Sequence, residues 1–196
     1  MHQLKATIVA CLGMLAAGAA LGADPTEIIQ RNTNQQERIE QGLQSGQLTT
    51  KEAAKLERGE AQVERMEAKA MSDGKLSNAE QQRIDRALDE RSKEIYRDKH
   101  NAAQGNPASS SSTRMQADVQ RNINQQQRIE QGVTSGELTN REAGKLEAGQ
   151  AHVERKEARA GADGSVSTKE QRRIQAAEND QSKHIHREKH DQRKHN

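Results

Sequence analysis

An internal duplication constrains this chain more than any other feature. Gln30-Arg31-Asn32-Thr33-Asn34-Gln35-Gln36 recurs as Gln120-Arg121-Asn122-Ile123-Asn124-Gln125-Gln126, and Arg38-Ile39-Glu40-Gln41-Gly42 recurs as Arg128-Ile129-Glu130-Gln131-Gly132. The spacing stays at 90 positions, without a gap, through Lys99-His100 and Lys189-His190. Two copies this similar must fold alike. Between them, Ala102 to Thr113 contains Gly105-Asn106-Pro107-Ala108 and four serines, a flexible-linker composition. The expected organisation is therefore two domains on a tether: unit 1 over 24–101, linker over 102–117 and unit 2 over 118–196.

A shorter repeat punctuates each copy. Ser45-Gly46-Gln47-Leu48-Thr49-Thr50-Lys51-Glu52 resembles Asp73-Gly74-Lys75-Leu76-Ser77-Asn78-Ala79-Glu80, and the pattern returns at Ser135–Glu142 and Asp163–Glu170. Ser or Thr followed three residues later by Glu is a capping box, which satisfies orphan amides at a helix start. The preceding Gly supplies a permissive turn. Each element thus ends one helix and begins the next, which predicts helices over 26–43, 49–71 and 77–100, with equivalents 90 residues on. Ile28, Ile39 and Leu43 line the first, Leu56, Val63 and Ala70 the second, and Ile84, Leu88 and Ile95 the third, all at helical spacing. The fold class is all-α, as two tandem three-helix hairpin or bundle units joined by a flexible linker. Only 31% of the chain is hydrophobic, with one Tyr and no Trp or Phe, so each core is thin and aliphatic. Units this lightly filled are marginal without a ligand or partner.

The punctuating pattern resembles the second half of an EF-hand calcium loop. Asp73-Gly74-x-Leu76-x-x-x-Glu80 and Asp163-Gly164-x-Val166-x-x-x-Glu170 align with its acidic, Gly, aliphatic and final Glu positions. The resemblance implies hard-cation ligands at Asp73, Ser77 and Glu80, and at Asp163, Ser167 and Glu170. It covers about eight residues per element. The first half departs from it: loop positions one and three fall on Lys69 and Met71, or Arg159 and Gly161, where no carboxylate stands. These are degenerate EF-hand-like loops, and the capping reading of the same residues stays open beside the metal reading.

A second metal candidate closes the chain. His186 and His190 stand one helical turn apart, and His184 pairs similarly with Glu188. Two imidazoles at that spacing suit copper or zinc. Cationic residues at a helix C-terminus also have a purely structural use.

The remaining features bound the function. Met1-His2-Gln3-Leu4-Lys5, the uncharged run Ala6 to Gly22 and the break at Asp24-Pro25 have the layout of a signal peptide over 1–23, hence a periplasmic or secreted protein without stable membrane insertion after cleavage. Cys11 is the only cysteine and would be removed with that segment. A net charge of +2, with acids and bases alternating, excludes a basic footprint for nucleic acid. No nucleophile elbow or phosphate loop is present, and the carboxylates are expected on exposed helix faces, so an enzyme is not expected. Two functions remain. One is an exported metal-ion-binding protein, for calcium or a lanthanide at the Asp-Gly loops or copper or zinc at the histidines. The other is a chaperone-like or stress-related scaffold whose polar helices bind another exported protein.

Overall fold

A computed structural model describes residues 24–191; the expected signal segment lies outside them. Six α-helices and no strand occur among the described residues: α1 Thr26–Ser45, α2 Thr50–Ala70, α3 Asn78–Lys99, α4 Ser110–Thr134, α5 Asn140–Ala160 and α6 Thr168–Lys189. The protein is all-α. The boundaries fall where the capping logic puts them. Thr49, Ser77, Thr139 and Ser167 each accept from the backbone of the Glu three residues on, and that Glu side chain accepts from the cap's own backbone N–H. Short 3-10 turns, Met71–Asp73 and Gly161–Asp163, lead into Gly74 and Gly164, whose φ of 88° and 90° are left-handed values that favour glycine.

The two copies form one body. Helix α2 packs along α5 and α1 along α4, and these pairings are more extensive than any within a copy. Both are antiparallel: Gly161, at the end of α5, sits against Thr50 and Ala54 at the start of α2, while Gly144 near the start of α5 sits against Ala68 and Met71. The matched pairs Ala54–Gly161 and Met71–Gly144 are exchanged by the 90-residue shift, which defines a pseudo-two-fold axis through the middle of α2 and α5. Small residues at these crossings let the backbones approach; a Cβ on Gly144 would lie 3.0 Å from the Met71 Cβ. Helices α3 and α6 flank the four central helices.

The apolar core follows this arrangement. One cluster joins Ile39, Leu43, Leu48, Leu56 and Ile95 from the first copy to Met115, Val119, Ile123, Val166 and Ile174 from the second. Its counterpart joins Ile29 and Met71 to Ile129, Leu138, Leu146 and Ile185. The expectation of two domains on a tether is therefore corrected: both of these clusters draw side chains from the two copies, while a third, with Ile28, Val63, Leu76, Ile84 and Leu88, stays within the first. The linker expectation is corrected too. Helix α4 begins at Ser110, inside the 102–117 stretch, capped by the Ser109 hydroxyl. The preceding segment is pinned by Gly105 N–H donating to the Gly46 carbonyl at 2.8 Å. A Cβ on Gly105 would collide with the Leu48 carbonyl. Composition resembled a tether because small residues were needed for close passage.

Candidate functional site

The polar stripe that α2 and α5 turn toward each other is made of carboxylates. On α2, Glu57, Glu60, Glu64 and Glu67 recur at the three-and-four spacing of one helix face, and on α5 Glu147, Gln150, Glu154 and Glu157 do the same. All eight are buried; Glu57, Glu67, Glu147, Glu154, Glu157 and Gln150 have no exposed surface at all. Charged carboxylates almost never occupy such positions unpaired. None of the six symmetry-related glutamates is in an ion pair among the described residues.

Amides from α1 and α4 knit the row together. Gln36 Nε2 donates to Glu57 Oε2 at 3.0 Å and to Glu154 Oε1 at 2.7 Å. By pseudo-symmetry Gln126 Nε2 donates to Glu147 Oε2 at 2.9 Å and to Glu64 Oε1 at 2.7 Å. Asn32 reaches both oxygens of Glu67, at 3.0 and 2.9 Å, and Asn122 reaches Glu157 at 2.8 Å. Two triads result: Glu57, Glu154 and Glu157 with Gln36 and Asn122, and Glu147, Glu64 and Glu67 with Gln126 and Asn32. They meet on the axis, where the Glu64 and Glu154 carboxyls lie beside each other.

These contacts leave much polar capacity unused. The carbonyl oxygens of Gln36, Gln126, Asn32 and Asn122 have no partner, nor does one oxygen each on Glu57, Glu64, Glu147, Glu154 and Glu157. Glu60 lacks a partner on both oxygens, and its counterpart Gln150 lacks one on both amide atoms. An unpaired buried polar group costs about 1–3 kcal/mol, so this concentration of orphans along one seam is not explained by folding alone.

Electrostatics follows from burial. Desolvation pushes Glu57 and Glu147 up to about 7, and Glu60 to about 8 with the neighbouring Glu57 charge adding to it. Glu64, Glu67, Glu154 and Glu157 are raised well above the ordinary carboxylate range, by desolvation first and by neighbouring carboxylates second. The row extends in the second copy only. Asp118 and Glu178, standing where the first copy has Ile28 and Leu88, lie beside Glu157 and are raised by burial to about 7 and about 8. Arg121 Nε lies 3.2 Å from Glu178, and Gln171 donates to Asp118 at 2.6 Å.

The residues singled out from the sequence lie elsewhere. Asp73 and Asp163 each accept the backbone N–H two residues on, at 2.9 Å, closing an exposed turn. Ser77 with Glu80, and Ser167 with Glu170, form the capping boxes of α3 and α6; the hydroxyls donate to the carboxylates at 2.6 Å in both. Those hydrogen bonds lower the pKa of Glu80 and Glu170. Replacing both glutamates by glutamine should leave any cation response intact, because Gln still reaches the cap amide. Alanine at both should lower stability modestly, because the cap's own backbone N–H loses its acceptor. Circular dichroism melts with and without lanthanum test this, and loss of the ion response in the Gln variant would return the site to the loops.

At the histidine end the rings divide between two faces of α6. His184 Nε2 lies 3.2 Å from Glu188 Oε1. His186 and His190 are stacked, with centroids 4.2 Å apart, and His190 Nδ1 is 2.7 Å from the His186 carbonyl. Tyr96 and His100 stack the same way in the first copy, at 4.1 Å, so this ring pair is a feature of the helix end in both. Nearby, Glu142, Glu188 and Asp191 offer oxygens within 4.8 Å of one another. Glu142 is at the same time the capping-box carboxylate of α5. His152 is exposed on α5.

The buried row departs from the expectation that the carboxylates lie on exposed helix faces. The signal was present: Glu57, Glu64 and Glu67 return as Glu147, Glu154 and Glu157, with Asn32, Gln35 and Gln36 returning as Asn122, Gln125 and Gln126. The chain matches no protein-family model, no curated protein and no solved structure.

Proposed function

We propose that this is an exported, non-enzymatic protein that binds a hard metal cation between its two halves. One observation supports the reading above all: six glutamates and four amide side chains converge in a buried seam with unpartnered oxygens and no ion-paired base. Carboxylate and carbonyl oxygens are the ligands that calcium-like ions take. Softer metals favour sulfur or imidazole, and the seam holds neither. A cation there would replace the repulsion among the carboxylates with attraction and supply partners for the orphaned oxygens. The compartment rests on the signal-peptide pattern of residues 1–23.

The test is a thermal melt of the purified protein with calcium, lanthanum, copper or zinc. An ion that binds only the folded state at a hundred times its Kd stabilises it by about 2.7 kcal/mol, which at this chain length is a rise of roughly 5–10 °C. Lanthanum or calcium should produce such a rise. A rise with copper or zinc alone would transfer the site to His184, His186 and His190. No rise with any ion would leave the protein-binding scaffold as the better reading.

A further inference from the structure

We infer that the seam holds two cations, one per triad, and that it is matched to trivalent ions of the lanthanide class rather than to calcium. The inference rests on the cation-binding role proposed above and deepens it.

The number two comes from the pseudo-symmetry. Gln36 places its amide nitrogen between Glu57 and Glu154, and Gln126 places its own between Glu147 and Glu64. Each nitrogen is the positive end of an amide dipole held by two carboxylates, which is where the field of the row is most attractive to positive charge. Turning either amide over would aim its unpartnered carbonyl oxygen at the same point. Asn122 and Asn32 can do likewise beside Glu157 and Glu67. Three carboxylates and two amide carbonyls then offer up to about eight oxygens per ion, within what a large hard cation accepts. Glu60 and Gln150, buried and unpartnered at both polar atoms, stand on the same faces of α2 and α5 beside the triads.

The charge type comes from counting. The two triads comprise six carboxylates: Glu57, Glu154 and Glu157, and Glu147, Glu64 and Glu67. Two trivalent ions match the charge of these six, while Glu60 and Asp118 beside them lie outside the count and Glu178 faces Arg121. Two divalent ions leave two negative charges buried, unless protons stay on the Glu64–Glu154 pair. Uncompensated charge in a dry interior is severely penalised, here by at least about a hundredfold in Kd.

Calorimetric titration with lanthanum, and with calcium, reads both claims. Two lanthanum ions per chain are expected, with affinity at least about a hundredfold above that for calcium. Glu67→Gln/Glu147→Gln, which disables one triad and keeps the amide hydrogen bonding, should reduce the count to one. Europium, excited directly because the chain has no Trp, should show luminescence lifetimes nearly equal in H2O and D2O, as a water-excluded site requires. A count of one in the unaltered protein overturns the two-site inference. Equal affinity for calcium overturns the trivalent match and leaves the proposed function standing. Europium that keeps most of its waters places the ion at the surface, at Glu142, Glu188 and Asp191, and overturns the inference. Absence of binding by either ion ends both readings.

Discussion

Replacing Glu64 and Glu154 together by methionine is expected to raise the thermal midpoint of the metal-free protein while abolishing its response to lanthanum. The two carboxyls meet on the pseudo-two-fold axis, each with no more than 1% exposure. Methionine is close to glutamate in volume and flexible enough to fill the gap. Exchanging buried ionisable groups for apolar ones of similar size is commonly neutral to stabilising by about 1–4 kcal/mol, and a gain of 1 kcal/mol is roughly 2–4 °C at this length. Gln36 and Gln126 would each lose one acceptor and keep another, on Glu57 and Glu147. Alanine is the wrong choice, because its cavity would add an unrelated cost. Opposite movement of stability and binding is the signature of residues retained for function. A midpoint lowered by several degrees in the methionine variant would show that the pair supports the fold instead.

The metal-free protein should also be most stable in mild acid and weaken as pH rises from about 5 to 8. Burial raises Glu57 and Glu147 to about 7 and Glu60 to about 8, against 4.5 for the free side chain. Between those values the folded state binds more protons than the unfolded chain. Unfolding free energy therefore falls with pH across that window, the reverse of an ordinary salt-bridged carboxylate. The contribution is fully present below 4.5 and is lost as pH passes the folded-state values. Urea unfolding at pH 5, 6.5 and 8 in the presence of a chelator measures it. Stability that is flat or rising over this range would contradict the protonated, buried state of the row. Added lanthanum should flatten the dependence by taking the place of the protons.

Local order was legible in the sequence and long-range order was not. Thr49-x-x-Glu52, Ser77-x-x-Glu80 and their second-copy equivalents predicted the starts of four helices to within a residue or two, because a capping box is satisfied within four residues. Ile84, Leu88 and Ile95 were recognisable as core for the same local reason. The pairing of α2 with α5 depends on Ala54 meeting Gly161 and Gly144 meeting Met71, contacts between residues far apart in the chain that leave no periodic trace. Without that pairing, Glu57 and Glu64 look like any glutamates on a polar helix. The site was hidden because its two halves are each unremarkable alone.

The pinned segment around Gly105 determines how such a seam behaves when the protein is scarce. Two separate units of this kind would have to find each other, and their seam would come apart on dilution. Joined through Gly105 and Ser109, the halves face each other at a fixed effective concentration, so the seam assembles at any abundance of the chain. The join also frees the halves to differ. Ile28 and Leu88 can remain apolar while Asp118 and Glu178 become acidic, since neither substitution is imposed on both sides of the axis at once. Two linked seats of unequal acidity would fill in sequence rather than together, giving the chain a graded response to its ion across a wider range of supply than one symmetric pair could cover.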